Sequence, residues 1–207
     1  LLMELLKEKP VTWSGSIRPS LNNQEVYPKT EGGSIGIRVG VGGSPESVMR
    51  AARLGIPLAL AIIGGDPARF APFSKLYRMA LAEQGKPELP VSIHSPGHIA
   101  ETDEQAIEEM WPCYLESFGR IGRERGWGET SKDHFVSEVR YGSMYVGSPE
   151  TVAAKITHAL TSVSASRFDL KYANGTMPHS KLMNTIRLYA EEVAPRVRAA
   201  VEKESAA

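Results

Sequence analysis

From residue 34 to its end, the chain alternates short apolar runs with amphipathic segments that open on helix caps and close on glycine. Strand readings fall at residues 35–41, 58–63, 91–94 (resuming at 98–100) and 167–172. Helical readings fall at residues 45–54, 67–85, 102–120, 133–140, 149–160 and 179–201. Strands separated by helices need crossover connections, and crossovers produce a parallel sheet with helices packed outside it. Residues 1–33 depart from this pattern. A short opening helix gives way at residues 10–33 to a stretch rich in Pro, Gly, Asn and Ser, in which little regular structure is expected. The expected organisation is a single domain over residues 1–207, with β/α units over residues 34–201.

Two architectures satisfy the alternation, a small doubly wound sheet and half of a (β/α)8 barrel, whose full length is typically about 250 residues. The faces of the strands separate them. Ile35, Ile37, Val39 and Val41 oppose Gly36, Arg38, Gly40 and Gly42, and Phe168, Leu170 and Tyr172 oppose Arg167, Asp169 and Lys171. A parallel sheet covered by helices on both sides is apolar on both faces. One small or charged face suits the lumen and mouth of a barrel, where chemistry collects at the C-terminal strand ends. That placement makes His94 and Lys171 candidates for a substrate pocket. The competing reading is structural, with Arg38, Asp169 and Lys171 neutralising one another.

Gly43-Ser44-Pro45-Glu46-Ser47-Val48 and Gly147-Ser148-Pro149-Glu150-Thr151-Val152 are near copies. Each places an N-cap Ser, a Pro at the first helical position and a Glu in the first turn. Only the first follows a strand that ends in glycines, so its amides and helix dipole are available to a phosphate, although Glu46 opposes that charge. The second copy reads as a plain capped helix.

Lys and Arg balance Asp and Glu at 24 each, which leaves no overall field to attract nucleic acid or an anionic membrane surface. The longest apolar run, residues 56–63, is too short to span a bilayer, and a soluble cytoplasmic protein is expected. The single cysteine, Cys113, excludes an internal disulfide, and the five histidines show no metal-ligand spacing, so no metal is expected. The chain opens inside an amphipathic helix at Leu1-Leu2-Met3, as if sequence were missing upstream.

Together, Val39-Gly40-Val41-Gly42-Gly43-Ser44-Pro45-Glu46, Ile62-Ile63-Gly64-Gly65-Asp66-Pro67-Ala68-Arg69-Phe70, Tyr145-Val146-Gly147-Ser148-Pro149-Glu150 and Arg167-Phe168-Asp169-Leu170 resemble the bacterial luciferase-like flavin-dependent monooxygenases. The resemblance implies a (β/α)8 barrel of which this chain carries the last four β/α units plus extra helices. It implies reduced FMN, or the deazaflavin F420 in a related branch, held at Gly42, Gly43, Ser44, Gly64 and Gly65. FMN would activate O2 to oxygenate a small organic substrate, whereas F420 would transfer hydride. A flavin reductase and a homo-oligomeric state are the implied partners, and no catalytic residue is assigned. The first half of such a barrel has no counterpart here, which leaves a non-catalytic half-barrel that associates with another chain as the alternative from a different class.

Overall fold

The computed structural model describes residues 1–30, 35–126, 128 and 130–205. Ser34, where the regular pattern is expected to begin, the last residues of the irregular stretch (31–33), and Trp127 of the glycine-broken Gly126-Trp127-Gly128 lie outside the described residues. The chain divides into two units, Leu1–Arg38 and Val39–Ala207.

The first unit holds α1 (Leu2–Leu5), β1 (Val11–Trp13) and β2 (Leu21–Gln24). β1 and β2 pair antiparallel, which corrects the expectation of an irregular stretch. The Leu-Asn-Asn-Gln sequence of β2 is a poor strand former. Its pairing depends on cross-strand bonds such as Asn23 N–H to Thr12 Oγ1 at 3.0 Å.

The second unit runs β3 (Val39–Val41), α2 (Pro45–Leu54), β4 (Leu58–Ala61), a 3-10 turn (Pro67–Phe70), α3 (Ala71–Glu83), β5 (Val91–Ile99), α4 (Asp103–Arg125) and α5 (Lys132–Tyr141). It continues with β6 (Tyr145–Gly147), α6 (Pro149–Val163), β7 (Arg167–Lys171), α7 (His179–Leu188), a π turn (Tyr189–Val193) and α8 (Ala194–Ser205). Every strand pair in this sheet is parallel. β3, β4, β5 and β7 lie side by side as four consecutive barrel strands.

Three strand boundaries differ from the expected ones. The first strand begins at Val39 rather than residue 35. Val39 N–H bonds Pro57 O at 2.9 Å, and Pro57 has no N–H with which to extend the ladder upstream. The third strand does not break at His94 but continues through Pro96. In a regular ladder the amide of residue 96 would donate to Ile62 O; the Ser95 hydroxyl replaces it there at 2.7 Å. β6 was unforeseen, since three residues are too few to reveal a period of two. It pairs with Gly97–Ile99 beyond the point where β4 stops, so β5 contacts three strands.

The helix starts obey local rules. Ser44, Thr102, Ser131 and Ser148 each accept the N–H three residues on, and α2 and α4 end on Gly55 and Gly126 in the left-handed region. The sheet packs on one main core, in which Val41, Leu58, Leu60 and Ile93 meet Tyr77, Leu81 and Ile156. Burying each such aliphatic side chain contributes about 1.5–3 kcal/mol. A second cluster joins Met110, Tyr114, Phe135, Met144 and Val146.

Candidate active site

Apart from His94, which lies inside β5 at the level where β4 ends, the candidate residues sit at the C-terminal ends of the parallel strands. Gly42, Gly43 and Ser44 follow β3; Gly64 and Gly65 follow β4; His94 lies within β5 and Lys171 ends β7. His94 and Lys171 line one cavity of about 220 Å³, together with Asn174, Tyr114 and Phe118. Gly42 and Gly64 line another of about 610 Å³, which shares Ile63, Tyr114 and Phe118 with the first. Tyr114 and Phe118 stack at 4.2 Å between ring centroids and form the common wall. Gly43, Ser44 and Gly65 are not among the lining residues of either cavity.

The glycine positions are of two kinds. A Cβ added at Gly40, Gly42 or Gly64 would meet no atom within 4 Å, so these backbones border open space. Gly43 and Gly65 have φ of +113° and +74° and shape their turns through conformations that other residues rarely adopt.

Two amides at these turns, those of Ser47 and Gly65, already have side-chain partners. Ser44 Oγ accepts Ser47 N–H at 3.3 Å and donates to Glu46 Oε2 at 2.7 Å. That hydrogen bond holds the exposed Glu46 carboxyl below its usual range. Gly65 N–H donates to Glu138 of α5 at 2.9 and 3.2 Å, and Ser143 N–H bonds the same carboxylate at 3.3 Å. Gly142 is needed beside it, because a Cβ there would fall 2.1 Å from Glu138 Oε2. Glu138 was missing from the sequence reading, as no local pattern links α5 to a turn 73 residues upstream. Nearby, Lys155 donates to Met144 O at 2.8 Å and to Val139 O, and burial pulls its pKa down to about 8.

The second Gly-Ser-Pro-Glu copy is closed. Asp103 accepts Ser148 N–H at 2.6 Å and the Thr151 hydroxyl at 2.9 Å, and a Cβ at Gly147 would lie 2.7 Å from it. Burial opposes the Asp103 charge, but those hydrogen bonds outweigh it and its carboxyl stays below the usual range. No cofactor could reach that helix start without displacing Asp103.

Among the described residues, Asp169 and Lys171 do not neutralise each other as the structural reading has it. Arg167 pairs with Asp169 at 2.6 Å, while Lys171 meets Asn174 Oδ1 at 3.4 Å. Asn174 is buried and fixes the strand exit by donating to Gly97 O at 2.8 Å and Tyr172 O at 3.1 Å. His98, behind His94 on β5, is wholly buried and bonded to Glu109 and Thr185 at 2.8 Å each, so it faces neither cavity. Among the described residues, no group of three His, Cys, Asp or Glu side chains is arranged to hold a metal ion, and no helix is long and apolar enough to cross a membrane.

A family model of the luciferase-like monooxygenases matches residues 1–167. The chain belongs to the luciferase-like monooxygenase family. No curated protein matches it in sequence. Among solved structures, this luciferase-like chain is similar to monooxygenase RslO1 from Streptomyces bottropensis, with a TM-score of 0.72 at 20% identity over 93% of this chain and 57% of that one. The oxygenating constituent of 3,6-diketocamphane monooxygenase from Pseudomonas putida, solved with FMN, gives a TM-score of 0.68 at 16% identity over 94% and 60%. The coenzyme F420-dependent tetrahydromethanopterin reductase from Methanopyrus kandleri gives 0.60 at 16% identity over 94% and 60%. The chain therefore spans 57–60% of the length of these relatives, and the shared α/β fold is that of a partial barrel.

Proposed function

We propose that this luciferase-like chain supplies the flavin-holding part of an FMN-dependent monooxygenase that uses O2 to oxygenate a small organic substrate. One observation carries the reading: the open glycine surface at Gly40, Gly42 and Gly64, beside a cavity of about 610 Å³. A flat ring system can lie on backbone there, against the wall of Phe70, Tyr114 and Phe118. Gly43 and Ser44, at the start of α2, would receive the phosphate. Glu46 must swing aside for this; it is fully exposed, so the movement costs little. Gly65 contributes turn shape, its amide being held by Glu138.

When bound, reduced FMN supplies the O2 chemistry. The chain's own residues hold and orient it, and the aromatic wall keeps water from the reacting face. Reduced FMN would come from a flavin reductase. F420-dependent hydride transfer uses the same surface and is the alternative chemistry.

Ser44→Asp tests the phosphate position. Asp caps a helix as well as Ser, so folding is retained while a carboxylate enters the site. FMN affinity, followed by quenching of flavin fluorescence, is expected to fall at least tenfold. Unchanged affinity would overturn the assignment, and tighter binding of F420 than of FMN in the unmodified protein would favour hydride transfer.

One feature supports the half-barrel alternative. Among the described residues, β3 pairs only with β4 and β7 only with β5, and a groove of about 720 Å³ lined by Phe168, Leu170, Tyr189 and Val197 runs along β7. Unpaired edges recruit further strands. Light scattering at micromolar concentration is expected to give a homodimer or larger species; a 22.6 kDa monomer would remove this reading.

A further inference from the structure

The two cavities that share the Tyr114–Phe118 wall differ in charge. Beside the glycine turns, Glu138 presents a carboxylate, and among the described lining residues there is no Lys or Arg. The smaller cavity has the opposite character: Lys171, Arg125, His94 and Asn174 line it, and none of its described lining residues carries a carboxylate. Lys171 keeps its charge uncompensated. Among the described residues no carboxylate lies within salt-bridge distance of it; the one acidic residue on its strand face, Asp169, is taken by Arg167. The neutral amide oxygen of Asn174 meets the ammonium at 3.4 Å. Asn174 is itself pinned to the β5 and β7 backbones, so it orients the ammonium without neutralising it. The rest of the lining is mostly apolar, with Ile63, Met110, Phe118 and Ile121 beside the hydroxyl residues Tyr114 and Ser117.

We propose that the cavity between β5, β7 and α4 binds a small organic acid, its anionic group on Lys171 and its apolar body along Tyr114, Phe118 and Ile121. This assignment deepens the monooxygenase reading by naming the substrate class, and it rests on that reading for the acid's being a substrate. At about 220 Å³ the cavity displaces roughly seven waters, enough for a single-ring acid. An anion gains here because an ammonium with no carboxylate partner among the described residues stands at the rim of a largely apolar cavity.

Benzoate and its neutral isostere benzamide test the proposal without any flavin, by ligand-detected NMR titration of the chain. Benzoate is expected to bind at least tenfold tighter than benzamide, and Lys171→Met, which keeps the aliphatic stem, is expected to remove that preference while Lys171→Arg keeps it. Thermal unfolding of both variants checks that the exposed substitution leaves the fold intact. Equal binding of benzoate and benzamide, or a Lys171→Met variant that retains the preference, overturns the proposal. So does binding of inorganic phosphate in place of benzoate, which would assign the anion to a cofactor's phosphate. Because FMN is absent, these results are independent of the Ser44→Asp outcome: a failed flavin assignment leaves the benzoate preference intact, and a failed acid site leaves flavin quenching unchanged.

Discussion

Gly97→Ala is expected to destabilise the sheet unit by about 3 kcal/mol, one of the largest single-site effects in the chain. A Cβ at this position would lie 2.4 Å from the carbonyl oxygen of Tyr145, 2.5 Å from Leu170 Cδ1 and 3.0 Å from Tyr145 Cβ. The first of these is backbone, held in register by the β5–β6 pairing of Gly97 with Tyr145, and cannot turn aside as a side chain could. Gly97 thus allows β6 and β7 to crowd against the same short stretch of β5. Urea unfolding would read the effect as a lower midpoint at unchanged slope. Gly64→Ala is the matching control: a methyl there meets nothing within 4 Å, and stability is expected to change by less than about 0.5 kcal/mol. Equal midpoints for the two variants would refute the crowding argument.

His98→Leu is expected to cost about 2–3 kcal/mol and to flatten the acid side of the stability profile. The Glu109 carboxylate can only accept, so His98 Nε2 carries the proton, and Nδ1 accepts from the Thr185 hydroxyl. Gln105 and Lys181 complete the network around Glu109, the former at 3.1 Å and the latter at 3.5 Å. Burial holds the His98 pKa below its ordinary 6.5, against the pull of Glu109. Burial acts against the Glu109 charge, but the hydrogen bonds from Gln105 and His98 and the nearby Lys181 outweigh it and lower its pKa.

The signs of these two shifts agree. Unfolded His98 takes up a proton before the folded form does, so stability is complete above about pH 6.5 and falls as pH drops. Glu109, depressed in the folded state, contributes stability above its unfolded pKa of 4.5 that is lost as pH falls through the lower folded value. Urea unfolding at pH 7.5, 6.0 and 5.0 is expected to show the unmodified chain losing up to about 1.4 kcal/mol per pH unit more than His98→Leu. Parallel profiles would mean that His98 is not the group responsible.

The sequence carried what local hydrogen bonding decides. Ser44, Thr102 and Ser148 are caps because a side-chain oxygen next to a helix start satisfies an orphan amide, a rule confined to four residues. The alternation of strands and helices likewise exposed the parallel sheet and the partial barrel. What stayed hidden depends on contacts between distant segments. β6 is three residues long and buried throughout, so it has neither periodicity nor a polar face to mark it. The passage of β5 through Pro96 depends on the Ser95 hydroxyl reaching another strand. In the candidate site, His94 and Lys171 were picked by their expected place near strand ends, and both line one cavity, although no periodicity or motif spacing links the two. Glu138 escaped notice because its role at Gly65 exists only once α5 has folded against the β4 turn. Tyr114 and Phe118 were visible only as the apolar spacing of a helix, which reads equally well as ordinary core.

The two sheet edges that are unpaired among the described residues also constrain symmetry. Because β3 and β7 are different strands running in the same direction, neither edge can pair parallel with itself across a twofold axis perpendicular to the sheet, since that operation would reverse one partner. A twofold axis parallel to the strands keeps their direction and brings β7 of one copy against β3 of the other at both seams together. Two arcs of four strands would then close a ring of eight. Each closed ring would carry its glycine turns and acid cavities in duplicate on a single rim, so one substitution at a strand end would alter two opposed sites at once.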